Sequence, residues 1–219
     1  MDIKDAINKY MADRKPKERY SSFDYCYNYF YDFYKQDKIR ELSNEKNLQI
    51  SCLQLGFYLA SWGMLRPSSF LIDKSAKHYT KLIKKISQME PELWEIDVDN
   101  YNENNVDLLI ERRNDIFEVL KTERNPTETL LSKIMLGVFG NVPAFDTYFK
   151  ASNIEARSFS KKSLLKIQEC YISHKSDFDS FNINTINFSG HKTDNKYTIA
   201  KLIDMYGFID GQEKLGVQK

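Results

Sequence analysis

The chain has 219 residues and a mass of 25.8 kDa, which is enough for one large domain or two small ones, and we expect one. Its 32 lysines and arginines balance 31 aspartates and glutamates, so no overall positive charge indicates a nucleic-acid-binding protein, although a local basic face remains compatible with one. With 42% hydrophobic and 29% charged residues, the composition excludes a fibrous or disordered chain.

The spacing of apolar residues predicts an all-α fold. Apolar residues recur at intervals of three and four, and the chain has only five prolines and eight glycines. We expect a single compact helical domain over residues 1–209, strands as a minor element at most, and a flexible tail over residues 210–219. No apolar run reaches the roughly 18 residues of a membrane span, and the amino terminus has no signal-peptide core, so a cytoplasmic protein without membrane contact is expected.

The first half of the chain predicts four helices. The first covers about Ile3 to Arg14 and ends before Pro16, because a residue that precedes proline disfavours the helical conformation. The second begins near Ser22 and carries an aromatic stripe that favours helix packing over base stacking. The third, from about Ser43 to Met64, is apolar on both sides and is expected to be the central buried helix. The fourth, over Lys74 to Met89, has a lysine-rich face.

In the second half, the clearest signal is the start of a helix at Asn125. Asn125 is predicted as the N-cap, with proline at the first helical position and Glu128 at the third, where it completes a capping box. This helix begins a helical hairpin that extends to Ser152. The other helices predicted in this half are residues 106–122, a helix after Pro143, residues 161–176 with Ser160 as the cap, and residues 196–208.

Metal and cofactor chemistry is not indicated. The three histidines have no acidic or histidine partner at ligand spacing, so no metal site is predicted. The chain lacks the glycine-rich phosphate loops and the Gly-x-Ser-x-Gly turn, so no cofactor and no serine hydrolase are predicted. The three cysteines are far apart and are expected to be buried free thiols. They are Cys26, Cys52 and Cys170.

Arg66 and Ser68 form a candidate phosphate site. They follow the segment Trp62-Gly-Met-Leu-Arg66, at the predicted start of the next segment. A guanidinium and a hydroxyl at a helix start are suited to an anion such as phosphate. The alternative is that Ser68 simply caps the next segment and Arg66 pairs with an internal carboxylate.

The segment Val142-Pro-Ala-Phe-Asp146 resembles the turn that carries the catalytic aspartate in helix-hairpin-helix DNA glycosylases. Together with Trp62-Gly-Met-Leu-Arg66, the longer segment Phe139-Gly-Asn-Val-Pro-Ala-Phe-Asp146 also resembles a group of uncharacterised bacterial helical proteins. The glycosylase resemblance covers about residues 125–153. It implies that Asp146 stabilises the sugar cation as a base leaves. The alternative is that Asp146 only caps the helix that follows.

Two departures from the glycosylase pattern affect the predicted mechanism. The chain has Arg124-Asn-Pro-Thr127 where those enzymes carry a Gly-x-Gly hairpin that binds DNA phosphate. Counting back from Asp146, the lysine nucleophile of the bifunctional enzymes would fall near Thr127, and Lys133 comes a turn or two later. The sequence therefore favours a monofunctional mechanism.

A basic run follows Asp146 and is a candidate phosphate-binding surface, or else a solvated face. It consists of Lys150, Arg157, Lys161, Lys162 and Lys166. The hypothesis that joins Asp146 to these residues is a nucleic-acid-associated protein that acts as an N-glycosylase-like enzyme. The alternatives are a non-enzymatic helical protein-interaction module and a phosphate-ligand binder centred on Arg66.

Overall fold

Helices form most of the chain in a computed structural model that describes residues 1–217, so the predicted all-α class is confirmed. Within residues 1–217, the sheet is one short antiparallel hairpin, which consists of β1, Asn184–Ile186, and β2, Lys192–Lys196. The ten α-helices of the described residues, α1 to α10 in chain order, are Ile3–Ala12, Ser22–Lys35, Glu45–Ser61, Thr80–Ile86, Glu103–Leu120, Glu128–Phe139, Thr147–Ala151, Lys161–Ser173, Lys175–Asp179 and Ile199–Lys214.

Local capping explains where several helices begin. Helix α8 starts after Ser160, whose hydroxyl accepts a hydrogen bond from the Ser163 amide, as predicted. The predicted N-cap Asn125 is wrong, because the Thr127 hydroxyl accepts from the Leu130 amide and α6 begins at Glu128, two residues later than predicted. Ser69 rather than Ser68 caps the turn that follows α3.

The lysine-rich run predicted as one helix over Lys74 to Met89 is helical only in α4, Thr80–Ile86. A 3-10 turn, Ala76–Tyr79, precedes it and buries Tyr79. The prediction of a polar loop over residues 182–192 is also wrong in part. Strands β1 and β2 occupy its ends, although β2 has a polar sequence.

The buried centre consists of α6 and α10, whereas α3 lies at the surface. Every residue of α6 from Leu130 to Phe139 is buried, and so is every residue of α10 from Ala200 to Gln212. Helix α3 buries Leu55 and Leu59 but exposes Phe57 and its neighbours on the same face. The prediction that α3 is the central helix is therefore wrong, because only one of its two apolar sides finds a packing partner.

Helix α10 continues to Lys214, so the tail predicted from residue 210 is helical up to that point, and residues 218 and 219 lie outside the described chain. The extension is fixed by close packing against α7. A Cβ atom at Gly211 would lie 1.8 Å from the Tyr148 carbonyl oxygen, and one at Gly207 would lie 2.5 Å from the Phe149 ring. Only glycine allows the two helices to approach this closely.

We predict that Gly211→Ala lowers the free energy of unfolding by about 3 kcal/mol or more, because the methyl group meets backbone rather than a movable side chain. Gly56→Ala is the matched control. Its Cβ would lie 3.1 Å from the Tyr79 ring edge, and alanine favours a helix, so a change within about 1 kcal/mol is expected. Urea denaturation measures both. Equal effects of the two substitutions would contradict this packing.

A half-buried carboxylate holds the start of α10. Asp97 Oδ2 accepts from the Ile199 amide at 2.6 Å, and Oδ1 accepts from the Ala200 and Val98 amides, both at 2.8 Å. Asp97 thereby supplies partners for amides that the first turn of a helix leaves unpaired. Burial raises the pKa of Asp97 to about 7, although the three amide donors oppose that shift.

The Asp97 shift predicts a pH-dependent stability. A carboxyl group whose pKa is higher in the folded state binds more protons there than in the unfolded chain. The free energy of unfolding should therefore decrease as the pH rises from about 4 to about 7. Carbon NMR of the Asp97 carboxyl group should show a midpoint near the upper end of this range. Glu123→Gln, at an exposed residue in the loop between α5 and α6, should leave the dependence unchanged, whereas Asp99→Asn should lower the midpoint, because the Asp99 charge helps to raise the Asp97 pKa. A midpoint near 4 would refute the prediction.

Candidate active site

Four charged side chains meet where the end of α3, α6, the start of α7 and α10 come together. Lys133 lies on α6, Asp146 caps α7, and Lys201 and Asp204 lie on α10. Lys133, Lys201 and Asp204 are buried, and Asp146 has 16% of its side chain exposed. Charged groups rarely lie in a protein interior without partners, so this cluster is the first candidate for a functional centre.

Lys133 and Asp146 form the pair nearest the surface. The Lys133 Nζ lies 3.6 Å from Asp146 Oδ2 and donates a hydrogen bond to the Trp62 carbonyl oxygen at 3.0 Å. Asp146 Oδ1 accepts from the Phe149 amide at 3.0 Å and so caps α7. One carboxylate therefore caps a helix and also pairs with an amine.

Lys201 and Asp204 form the inner pair. The Lys201 Nζ donates to Asp204 Oδ2 at 2.8 Å and to the Tyr10 hydroxyl at 2.9 Å. Asp204 Oδ1 accepts from the Ala144 amide at 3.0 Å, two residues before Asp146. The inner pair thereby anchors the loop that presents the outer pair.

Aromatic rings enclose both amines. The Trp62 ring stacks parallel to Tyr10 at a centroid distance of 6.4 Å and meets Phe208 edge-on at 5.6 Å. The Lys133 Nζ lies 5.4 Å from the centre of the Trp62 ring, and the Lys201 Nζ lies 5.7 Å from it. A cation over an aromatic face is attracted to the ring, and the rings also exclude water.

A cavity of about 10 Å³ lies between the two pairs and the Trp62 ring. This is about the space that one water molecule needs, so a larger molecule can reach Lys133 only if a wall of the cavity moves. Trp62 is the wall nearest to solvent, being half-buried at the end of α3. Within residues 1–217, its indole N–H is buried and has no hydrogen-bond partner.

Burial shifts both members of the outer pair toward neutrality. Removal from water lowers the pKa of the Lys133 ammonium, and the charge of Asp146 opposes that shift. Burial likewise raises the pKa of the Asp146 carboxyl, and Lys133 opposes it. A lysine with a lowered pKa is a better nucleophile, and a carboxylate beside it can accept or return a proton.

Lys133 lies beside Asp146, although counting back from Asp146 along the sequence puts the expected lysine nucleophile near Thr127 instead. The loop between α6 and α7 folds back along α6, because the Phe145 amide donates to the Ser132 hydroxyl and the Thr129 hydroxyl donates to the Phe145 carbonyl, each at 2.8 Å. The two side chains therefore meet although Lys133 lies a turn or two after the position that counting back from Asp146 gives for a lysine nucleophile, and the monofunctional mechanism stays a prediction. Both alternatives for Asp146 fit the geometry, since the same side chain caps α7.

Arg66 and Ser68 lie outside the charged cluster. The Arg66 Nε donates to the Ser68 hydroxyl at 3.0 Å, and its Nη1 donates to the Gly63 carbonyl at 3.3 Å. The alternatives of an internal carboxylate partner for Arg66 and a simple cap at Ser68 are both wrong. The two residues border a cleft of about 120 Å³ beside Arg124 and the start of α6.

The basic run after Asp146 is largely paired with acids. Arg157 and Lys162 are exposed. The other three lysines each have a carboxylate partner, which reduces their attraction for phosphate. The ion pairs are Lys150 with Glu128 at 3.2 Å, Lys161 with Asp107 at 2.5 Å and Lys166 with Glu155 at 3.3 Å.

Sequence reasoning missed the inner pair and the aromatic wall. Lys201 and Asp204 interrupt an otherwise apolar stretch of α10, three residues apart and so on one side of the helix. Two charges on a helix that is buried on all sides indicate a paired internal site. The sequence could have predicted this site only if it had also predicted that α10 is the central helix. The position of Trp62 depends on how α3 and α6 pack, which no local pattern encodes.

Comparisons with known proteins gave no match to a family model, to a curated protein or to a solved structure. The helices within residues 1–217 include none with the length and apolar character that crossing a bilayer requires. The class that the fold and site define is thus an all-α protein with a buried amine–carboxylate cluster.

A double-mutant cycle tests the outer pair. Lys133→Met leaves Asp146 without its cation, and Asp146→Asn retains a cap while removing the charge. We expect each single change to destabilise the protein and the double change to cost less than their sum, with a coupling of about 1–3 kcal/mol in urea denaturation. Additive effects would mean that the two groups do not interact.

Proposed function

We propose that the protein binds nucleic acid and cleaves the N-glycosidic bond of a nucleotide, with Lys133 and Asp146 as the reacting pair. The observation that supports this proposal is the buried amine 3.6 Å from a helix-capping carboxylate. The resemblance of Val142-Pro-Ala-Phe-Asp146 to the aspartate turn of the helix-hairpin-helix glycosylases is in accord with it.

The chemistry uses the shifted pKa values of the pair. The neutral Lys133 amine attacks C1′ of the sugar, the C1′–N bond to the base breaks, and its electron pair leaves with the base. The Asp146 carboxylate stabilises the positive charge that develops on the sugar and relays the amine proton to the departing base. Opening of the sugar ring then gives an imine on Lys133, which water hydrolyses to release an aldehyde and restore the amine.

Substrate entry requires the Trp62 ring to move, because the cavity beside the pair holds little more than one water molecule. Trp62 ends α3 and precedes Gly63, whose φ of 74° lies in the left-handed region and whose surroundings are open. Displacement of the ring costs its contacts with Tyr10 and Phe208, and Gly63 supplies the backbone freedom for the movement. Once displaced, it can stack on a base.

Borohydride trapping tests the proposal without knowledge of the natural base. An oligonucleotide with an abasic site supplies the aldehyde, the Lys133 amine condenses with it by loss of water, and borohydride reduces the imine to a stable adduct. Wild-type protein should form this adduct and Lys133→Gln should not. Asp146→Asn should slow trapping by about 10²-fold, since it removes the proton-transferring group.

The control is Lys214→Gln, which changes an exposed lysine at the end of α10 and should trap like wild type. Thermal denaturation of each variant verifies that it is folded. An adduct mapped by mass spectrometry to another amine, or trapping unaffected by Lys133→Gln, would refute the assignment of Lys133.

A further inference from the structure

A groove of about 710 Å³ runs along the exposed side of α3 and is closed on its other side by the hairpin tip and by residues 16–25. Its walls are rich in aromatic rings. Phe188, at the tip between β1 and β2, is 88% exposed, and Phe57 on α3 is 70% exposed. Two aromatic side chains that are so largely exposed in one groove form an apolar patch, and such patches on a protein surface commonly mark an interaction site.

The hairpin tip is held firmly in position. Phe188 packs against Tyr25 with ring centroids 5.4 Å apart, and the Tyr25 hydroxyl donates to the Pro16 carbonyl at 2.7 Å. Gly190, with a φ of 82°, lies so close to Pro16 that a Cβ atom would be 2.8 Å from the proline ring. The aromatic pair is therefore a preformed platform rather than a loose loop.

The charges that line the groove favour an anionic occupant. Lys17 and Arg19 are basic lining residues, and Glu18 between them is acidic. The Arg19 guanidinium lies 5.4 Å from the centre of the Trp62 ring, so the basic edge of the groove extends to the wall of the candidate active site. The Tyr58 ring borders both the groove and the cavity beside Lys133.

We propose that this groove binds single-stranded nucleic acid and directs it to the Lys133–Asp146 pair, an inference that rests on the proposed function. Unpaired bases stack on Phe188, Tyr25 and Phe57, and phosphates contact Lys17 and Arg19. A duplex does not fit this chemistry, because its bases are stacked on each other and present edges rather than faces. The aliphatic side chains of Ile50 and Leu53 also line the groove.

The test is fluorescence anisotropy with a labelled thymidine oligonucleotide of about 15 nucleotides and with its duplex. The single strand should bind more tightly than the duplex. Phe188→Ala and Phe57→Ala should each weaken single-strand binding by about five- to a hundredfold, the range for loss of one stacked base. Both side chains are exposed, so neither change should reduce thermal stability. Arg19→Gln should reduce the slope of log affinity against log salt by about 1.

Two matched controls locate the surface. Ile172→Ala removes an apolar side chain that is 63% exposed on α8, and Lys162→Glu reverses a charge in the basic run after Asp146. Both should bind like wild type. If Lys162→Glu abolishes binding while Phe188→Ala does not, the nucleic-acid site lies on α8 and the groove proposal is wrong, although the proposed function survives.

Two further outcomes separate the proposals. Single-strand binding that depends on Phe188, without any borohydride adduct on Lys133, would support the groove and contradict the glycosidic function. No binding at about 50 mM salt would overturn the groove proposal, since phosphate contacts are strongest at low salt. In that case, light scattering measures the oligomeric state of the wild type and of Leu53→Glu, a change on the exposed face of α3. Dissociation of a dimer by Leu53→Glu would identify the groove as a protein interface.

Discussion

The arrangement of this molecule depends on the burial of charged groups that are almost fully paired. Taking a carboxylate or an ammonium out of water costs several kcal/mol, and the cost is recovered only when each group finds partners of good geometry. Asp204 meets this condition through Lys201 and the Ala144 amide, and Asp146 through Lys133 and the Phe149 amide. Removal of one partner would leave a charge in the interior, so these contacts fix how α6, α7 and α10 pack.

A third buried pair secures the hairpin in the same way. Arg14 donates to Asp24 at 3.0 Å and to the Asn184 carbonyl at 2.8 Å, while Asp24 also accepts from the Ile186 amide and the Tyr197 hydroxyl. The short, polar strands would be unstable alone. They persist because side chains from the loop after α1 and from α2 satisfy their backbone groups. The shape of the groove beside Phe188 therefore depends on the buried Asp24 carboxylate on α2, which holds the hairpin in place.

How far the sequence predicted the structure can be judged from particular residues. The starts of α2 and α8 were predictable because the signals are local, as the Ser160 cap shows. The side of α3 that is buried could not be predicted, since two apolar sides give no indication of which one packs against the rest of the protein. The turn that carries Asp146 is visible in the sequence, whereas the approach of Lys133 to it is not, because the folding back of the loop along α6 depends on the Ser132 and Thr129 hydroxyls. The polar strand β2 has no hydrophobic alternation to detect.

The near-zero net charge bears on how such a protein would bind nucleic acid. With 32 basic and 31 acidic residues, no long-range field draws a polyanion to the surface, and several of the lysines after Asp146 already have carboxylate partners. Affinity must then come from short-range contacts, of which stacking on exposed rings is the strongest that this surface offers. Few phosphate contacts imply a shallow dependence on salt, whereas a basic face would give a steep one. A shallow slope and a requirement for unpaired bases are thus two consequences of one charge balance.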